Sequence, residues 1–339
     1  MQLSAFDFPF DPSLVALQPV SPRDRARLLL LDRQTDKLVH RRVTDLPSLL
    51  KSGDLLVVND TKVLAARVSG VKKPTGIPVE VLFVRDLGEG RWEIMVKGTF
   101  HVGQVIEFDQ QSRATVVKRD ATGTEVVVES PAPVTRLFEA RGVMPLPPYI
   151  KRASTQEDHR WYQTVFAKHE GAIAAPTAGL HFTEDLFQRL NVSGIKIAAV
   201  TLHVGPGTFK PVTTERIEDH QMGAEAFTIS EETAKAIQET KCAGGRVVAV
   251  GTTVVRTLET VMKEKGELVP TSGESRLFMT PGFPFKVVDA LMTNFHLPRT
   301  TLLMLVSAFA GIDPIRRAYE EAVRERYRFY SYGDAMLII

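Results

Sequence analysis

A block of six short apolar segments is the feature that most constrains how this 339-residue chain can fold. Each segment is rich in Val, Ile or Phe and is bounded by Gly, Pro, Asp or Lys, and several alternate apolar and polar side chains, as half-buried strands do. No helical periodicity interrupts the block, so it predicts a small antiparallel β-barrel. The segments are residues 63–70, 77–86, 91–98, 104–109, 113–120 and 124–130.

Mixed helix and strand patterns lie on both sides of this block. Residues 27–31 and 54–59 read as strands before it, and 195–204 and 246–250 read as buried strands after a proline-rich connector at 145–149. Thr183 and Ser230 are placed to cap helices. Residues 251–253 turn the chain, helical spacing continues from Val254 to Glu264, and an amphipathic helix around Ile315 follows.

The first 60 residues contain too few core positions to fold alone, so we expect them to join the C-terminal part. The predicted fold class is therefore α/β, with a larger discontinuous α/β domain and an inserted small antiparallel β-barrel domain. The predicted boundaries are 1–62 plus 150–339 for the α/β domain and 63–149 for the barrel.

Charge and cysteine content exclude several classes of protein. Lys plus Arg number 42 against 40 Asp plus Glu, so any surface for nucleic acid must be local. The single cysteine, Cys242, excludes an internal disulfide and a Cys-based zinc site. The most apolar late stretch, 302–312, is shorter than the roughly 20 residues of a bilayer crossing. We expect a soluble cytoplasmic protein without membrane contact.

Four histidines are candidates for proton transfer. His181, His203, His220 and His296 lie beside Gly, Pro, Asn or Asp near the ends of predicted elements, where sites in α/β proteins form. Imidazole exchanges protons near neutral pH. For any one of them the alternative is a buried, hydrogen-bonded structural histidine. No His-x-x-x-His or His-Glu-x-x-His spacing occurs, so no metal site is predicted.

Two glycine-containing turns are candidates for ligand binding. Thr252 and Thr253 follow a strand and open a helix, so their amides could bind a carboxylate or phosphate, with Arg256 one turn further on. The alternative is an ordinary threonine-capped turn. Gly205 and Gly207 are spaced as in a dinucleotide loop, but the third glycine of that motif would fall on Lys210.

Five sequence runs resemble the S-adenosylmethionine:tRNA ribosyltransferase-isomerase family of queuosine biosynthesis. They are GDLLVVNDT (53–61), MPLPPYI (144–150), AAPTAGLHFT (174–183), TNFHLP (293–298) and YSYGDAML (330–337). The chain departs from the family pattern in four places. Gly223 stands where a second histidine is usual after 219–222, Val254 stands where Ser is usual, and Pro206 stands where Ala is common. In the barrel, residues 98–101 replace a basic, proline-rich run, which leaves the RNA contacts of the barrel open.

The resemblance implies a reaction as well as a fold. Family members place a β-barrel inside a larger α/β domain. They use S-adenosylmethionine as a ribosyl donor and transfer and isomerise its ribose onto 7-aminomethyl-7-deazaguanine at the tRNA wobble position. Epoxyqueuosine-tRNA, adenine and methionine result. The implied partners are S-adenosylmethionine and the tRNA anticodon stem-loop, with no metal and no cofactor beyond this co-substrate. We expect a monomer or weak homodimer.

The proposed family route begins when a base removes a C5′ proton next to the sulfonium, so the site needs acid/base groups and an anion clamp. His181 is the first candidate for the base, because small residues precede it and a helix start at Thr183 would keep it neutral. The full predicted set is His181, His203 and His296 for proton transfer, Asp219 and His220 as a coupled pair, Thr252, Thr253 and Arg256 as the clamp, Asn59 and Asp60 for ribose hydroxyls or the deazaguanine edge, and Thr177, Gly179, Gly205 and Gly207 for close ligand approach.

Two other classes are weighed against this one. A non-catalytic RNA-binding protein would need aromatic side chains on the barrel, which are scarce there. An S-adenosylmethionine-dependent methyltransferase would need a glycine-rich loop after an early strand, which the sequence lacks. Product analysis distinguishes the three, because only the ribosyltransferase releases both adenine and methionine.

Overall fold

The structure, a computed structural model, describes residues 1–120, 123–205 and 212–339. Its strands are β1 (Arg27–Asp32), β2 (Lys37–Arg42), β3 (Leu55–Asn59), β4 (Thr61–Val63), β5 (Arg67–Lys72), β6 (Ile77–Gly88), β7 (Arg91–Val96), β8 (Val105–Glu107), β9 (Arg113–Asp120), β10 (Gly123–Glu129), β11 (His169–Ala172), β12 (Lys196–Leu202), β13 (Glu225–Ile229), β14 (Val247–Val250), β15 (Thr271–Ser275), β16 (Ala290–Asn294) and β17 (Ala335–Ile338). Its α-helices are α1 (Leu46–Leu49), α2 (Val134–Arg141), α3 (Asp158–Trp161), α4 (Glu184–Val192), α5 (Glu231–Cys242), α6 (Thr252–Lys265), α7 (Thr301–Ala310) and α8 (Ile312–Arg324).

A nine-stranded sheet organises the α/β part, in the order β15-β13-β12-β3-β14-β16-β17-β1-β2. Strands β12, β3, β14 and β16 are parallel neighbours. Their carboxyl ends therefore meet at one edge of the sheet, here called the carboxyl edge, where ligands of α/β proteins usually bind. Apolar side chains of α5, α6, α7 and α8 cover one face of the sheet, and those of α1 and α4 cover the other.

The N-terminal segment is part of this sheet, as expected. Strand β3 is hydrogen-bonded between β12 and β14, and β1 runs parallel to β17. The helix caps are also confirmed, since the hydroxyl of Thr183 accepts from the amide of Leu186 and that of Ser230 accepts from Thr233, each at 3.2 Å.

The six barrel strands are found in the predicted block, and they close in the order β10-β7-β6-β5-β8-β9. The barrel core is mostly aliphatic and contains a small aromatic group, in which Phe83 packs against Trp92 and against Phe138 of α2. The first strand begins later than predicted, because residues Thr61–Val63 pair with β11 in a separate two-stranded sheet. All six barrel strands lie within 63–149, and the domain boundaries themselves stay a prediction.

Two other elements differ from the sequence interpretation. Strand β12 is mostly half-buried rather than buried along its length. The helix expected from Val254 begins at Thr252, and its first ten residues are buried because it packs against the sheet. Within the described ranges, no helix is both long and apolar enough to cross a membrane.

Candidate active site

Polar side chains follow the parallel strands at the carboxyl edge. Asn59 ends β3, and its side chain links β3 to β12: the amide nitrogen donates to the carbonyl of Leu202 at 3.0 Å, and the amide oxygen accepts from the Leu202 backbone amide at 3.0 Å. The same oxygen accepts from the amide of Thr61 at 3.2 Å. Asn59 is therefore buried and its polar atoms hold protein partners, while its predicted contact with a ligand stays a prediction.

A small inner cavity lies at this edge, beside the start of α6. Its volume is about 30 Å³, the space of roughly one water. Its lining includes Thr177, Thr252, Thr253, Asn294 and His296. No side chain caps the start of α6, so the first helical amides lie next to the threonine hydroxyls. The amide oxygen of Asn294 is buried and has no hydrogen-bond partner within the described residues. The cavity lining therefore combines helix-start amides that no side chain caps with an amide oxygen that has no partner among the described residues.

His296 is buried in the lining of the inner cavity. Its ring nitrogens lie 3.3 Å from the hydroxyls of Thr293 and Tyr319. Burial lowers its pKa to about 3, so the ring is neutral at pH 7. An imidazole with so low a pKa is a weak proton acceptor at neutral pH.

His181 is also neutral, but the cause differs from the one expected. It ends the 3-10 helix Thr177–His181, and burial, with the charges of Arg328 and Arg23, lowers its pKa to about 3. The side-chain amide of Asn294 lies 3.1 Å from its Nε2. The His181 side chain is 4% exposed and lines a separate cavity of about 10 Å³.

Gly179, in the same 3-10 helix, was predicted to allow a ligand to approach closely. A Cβ there would lie 2.7 Å from the ring of Phe166 and 3.0 Å from the side chain of Thr164. The space beside Gly179 is thus filled by these two side chains. Its contact with a ligand stays a prediction.

A much larger cleft separates the barrel from the carboxyl edge. Its volume is about 580 Å³, within the range of small-molecule sites. The barrel contributes the end of β6 and Glu93 of β7, and the α/β part contributes His203, Gly205, Glu225 and Arg256. Val204 lines both this cleft and the inner cavity, so the two spaces adjoin.

His203 is the histidine that faces the large cleft. The Thr61 hydroxyl lies 2.8 Å from its Nδ1, and Gly171 of β11 packs directly against the ring. Burial and the nearby His169 lower the His203 pKa, while Asp60 opposes that shift. Asp60 accepts from the hydroxyl of Thr201 at 2.6 Å. The ring is thus fixed in orientation and is more accessible than those of His181 and His296.

Arg256 and Glu225 form a buried ion pair in the cleft wall, 3% and 5% exposed. Glu225 also accepts from the amide of Gly205 at 3.2 Å. The Nε of Arg256 is buried and has no hydrogen-bond partner among the described residues. The expected clamp is therefore divided, because Thr252 and Thr253 line the inner cavity and Arg256 lines the cleft.

The remaining predicted residues give less information. Asp219 ends the 3-10 helix Ile217–Asp219, and the ring of His220 packs edge-on against Phe278 at 5.5 Å. Burial lowers the His220 pKa. Their action as a coupled pair stays a prediction, and Gly207 lies outside the described residues. Over the described ranges, no group of three or more His, Cys, Asp or Glu side chains could hold a metal ion.

Glu225, Thr61 and Gly171 were not identified from the sequence. Glu225 begins an ordinary alternating strand, and Thr61 and Gly171 act on His203 only through the pairing of β4 with β11. No local signal marks these positions as parts of one site.

The fold and site define an α/β protein that carries an inserted barrel and a polar cleft between the barrel and the carboxyl edge. The family described as "Queuosine biosynthesis protein" matches residues 3–338. The S-adenosylmethionine:tRNA ribosyltransferase-isomerase of Desulforamulus reducens is 46% identical over 343 residues, with 100% of both chains covered. The crystal structure of an S-adenosylmethionine tRNA ribosyltransferase from Thermotoga maritima is 37% identical, with a TM-score of 0.59, and the match covers 99% of this chain and 100% of that one.

The chain therefore belongs to the S-adenosylmethionine:tRNA ribosyltransferase-isomerase family, a family of enzymes of queuosine biosynthesis.

Proposed function

We propose that this enzyme transfers and isomerises the ribosyl group of S-adenosylmethionine onto 7-aminomethyl-7-deazaguanine at the tRNA wobble position. The products are epoxyqueuosine-tRNA, adenine and methionine. The observation that carries the proposal, together with family membership, is the cleft that brings His203, Glu225 and Arg256 together between barrel and sheet.

Charge supports the cleft as the site for S-adenosylmethionine. This co-substrate carries one net positive charge, because its sulfonium and ammonium outweigh its carboxylate. Acidic side chains outnumber arginines by one in the described lining, and a net negative wall favours such a cation. The groups counted are Asp86, Glu93, Glu225 and Glu274 against Arg85, Arg256 and Arg276.

The ion pair in the cleft wall matches the amino-acid end of S-adenosylmethionine. We assign Arg256 to the carboxylate and Glu225 to the ammonium group. The carboxylate can also accept a hydrogen bond from the Nε of Arg256, which has no partner among the described residues. When the ligand binds, each of the two buried side chains replaces its protein partner with the oppositely charged group of the ligand. Neither side chain is therefore left as an unpaired buried charge, which would be costly.

The cleft also favours His203 over His181 and His296 as the base. His203 faces a space large enough for the co-substrate, whereas the other two rings are nine-tenths or more buried beside much smaller cavities. Their pKa values of about 3 also make them weaker bases. Asp60, close to His203, is assigned to the ribose hydroxyls or the deazaguanine edge.

The proposed chemistry starts at the carbon next to the sulfonium. His203 takes the C5′ proton and the C4′–O4′ bond breaks, and O4′ then becomes a C1′ carbonyl as the bond between ribose and adenine breaks. The aminomethyl nitrogen adds to C4′ and loses a proton, and the carbanion formed at C5′ bonds to C1′, which turns the carbonyl into an alkoxide. That alkoxide attacks C5′. The C5′–S bond breaks as the epoxide closes, which releases methionine. Starting from the neutral amine, one proton is released overall, and adenine carries another away.

Product analysis tests the proposal. The enzyme is incubated with S-adenosylmethionine and tRNA that carries 7-aminomethyl-7-deazaguanine, and the mixture and the digested tRNA are analysed by mass spectrometry. We expect adenine and methionine in equal amounts, and epoxyqueuosine in the tRNA. S-adenosylhomocysteine would indicate a methyltransferase, and tRNA binding without any small product would indicate a binding protein.

Hydrogen exchange tests the base. We expect His203→Ala to abolish exchange of the C5′ hydrogens of bound S-adenosylmethionine with deuterium from solvent, and His181→Ala to retain it. Loss of exchange in His181→Ala alone would transfer the role to His181. S-adenosylmethionine affinity is measured for both variants, so that loss of binding is separated from loss of the base.

A further inference from the structure

Four arginines lie near one another at the carboxyl edge, near the start of β1. This arginine patch consists of Arg23, Arg25, Arg42 and Arg160. Arg23 donates to the carbonyl of Arg160 and, at 2.7 Å, to that of Gln163. Arg42 donates to the carbonyl of Arg25 at 2.9 Å. These contacts join Arg23 to Arg160 and Arg42 to Arg25, and the two pairs are connected because Arg23 and Arg25 belong to the same 3-10 helix, Arg23–Arg25.

Among the described residues, no carboxylate forms an ion pair with a guanidinium group of the patch, although most arginines of this protein are ion-paired. The Asp45 carboxylate, next to Arg42, accepts from the Arg42 backbone amide at 2.9 Å. Elsewhere, exposed arginines such as Arg91 and Arg317 each lie 2.6 Å from a carboxylate oxygen. Within the described residues, no patch arginine has an ion-pair partner at such a distance. The neighbouring Asp24 is buried and accepts from the hydroxyl of Thr183 at 2.8 Å, so it points away from the surface.

Like charges are held close together in the patch. Burial lowers the pKa of Arg23; the nearby Tyr332 opposes this shift, and the charge of Arg160, a smaller effect, adds to it. Two neighbouring guanidinium groups without a carboxylate are electrostatically unfavourable in the free protein, and a bound anion relieves that repulsion. Arg23 is also fixed by its two carbonyl acceptors, which orients its charge in advance.

A groove of about 470 Å³ runs beside Arg23 and Arg160 and is also lined by His159, Gln163 and Thr164. The side chain of Gln163 accepts from the amide of Val63 at 2.9 Å and donates to its carbonyl at 3.1 Å. Val63 ends β4, the strand whose first residue, Thr61, contacts His203. The β4–β11 sheet therefore connects residues that line the groove with residues that line the cleft.

The cleft itself has a net negative lining and is unsuited to phosphates. We propose that the arginine patch binds backbone phosphates of the RNA substrate on one side of the β4–β11 sheet, while the target base enters the cleft on the other. This assignment rests on the proposed function. It also meets the requirement that a chain with a net charge of only +2 must bind nucleic acid through a local surface.

Salt-dependent binding tests the patch. Arg25→Gln/Arg160→Gln removes two exposed charges and leaves Arg23 in place. Its control is Arg316→Gln/Arg324→Gln, which removes two exposed charges from α8, where both arginines are ion-paired. The affinity of each variant for the substrate tRNA is measured by fluorescence anisotropy between about 50 and 200 mM salt.

We expect the patch variant to bind tRNA about 10-fold more weakly at low salt, with a log-log salt slope reduced by about 1.5 to 2. Its affinity for S-adenosylmethionine should equal that of the wild type. The control should keep the wild-type slope. An unchanged slope in the patch variant, or an equal loss in the control, would overturn the assignment. Failure of the wild type to release adenine and methionine would instead refute the proposed function, so the two failures are distinguishable.

Discussion

Replacing Gly171 with alanine should displace the His203 ring and so reduce catalysis, although His203 itself is not substituted. Gly171 has a φ of +146°, which an L side chain rarely adopts, and an added Cβ would lie 2.8 Å from both Cε1 and Nδ1 of the His203 ring. Carbon atoms normally approach to about 3.5 to 4.0 Å, so the ring must move away by roughly 0.7 to 1.2 Å. That movement also disturbs the 2.8 Å contact between Nδ1 and Thr61.

The magnitude follows from these two effects. A displacement of about 1 Å in a reacting group can cost up to about 100-fold in rate, so kcat should fall by about 10- to 100-fold. Backbone strain at this position should reduce the free energy of unfolding by about 1 to 3 kcal/mol. Affinity for tRNA should stay within about twofold of the wild type, which is a change in binding free energy of about 0.4 kcal/mol or less.

Adenine release under saturating substrates measures kcat, and urea unfolding measures stability. Gly223→Ala is the matched control, because Gly223 lines the same cleft and an added Cβ there would have no atom within 4 Å. If Gly171→Ala retained the kcat of Gly223→Ala, the ring of His203 would not be the group that Gly171 positions for catalysis, and the reasoning would be refuted.

Two further predictions concern buried charges. Glu225→Gln should lower the free energy of unfolding by about 3 to 5 kcal/mol, because it leaves the Arg256 guanidinium buried and unpaired. The double variant Glu225→Gln/Arg256→Met should recover part of that loss in urea unfolding. If it recovered none, the two residues would not be coupled. His181 has a pKa of about 3 in the folded protein and of about 6.5 in the unfolded chain. Between these two values the unfolded state binds one more proton than the folded state. The free energy of unfolding therefore falls by up to about 1.4 kcal/mol for each pH unit by which the pH is lowered through this range. His181→Asn should reduce that slope between about pH 4 and 6 relative to the wild type, and equal slopes would contradict a neutral, buried ring.

Local patterns allowed much of the fold to be predicted. The alternation of residues 91–96 and its neighbours depends only on adjacent side chains, and it predicted the barrel strands. The caps at Thr183 and Ser230 also act within one helical turn. The start of the first barrel strand was wrong, because Thr61–Val63 pairs with a segment more than 100 residues away.

The site could be predicted only in part for the same reason. The strand-end positions of His203 and Thr252 follow from local periodicity, but the partners of these residues do not. Arg256 lies one turn after Thr252, yet its side chain extends to Glu225 of a different strand and so lines a different cavity. Spacing along a helix gives the neighbours on its surface, whereas the direction of a long side chain depends on distant strands.

Strand β17 has a consequence for how the protein is made. It lies between β16 and β1, is completely buried, and is the last of the nine sheet strands to be synthesised. Until it emerges from the ribosome, β1 and β2 have no link to the rest of the sheet, and β1 and β16 each expose an unpaired edge. Such edges readily pair with other chains, so nascent chains at this stage are exposed to aggregation and are a form on which chaperones would act.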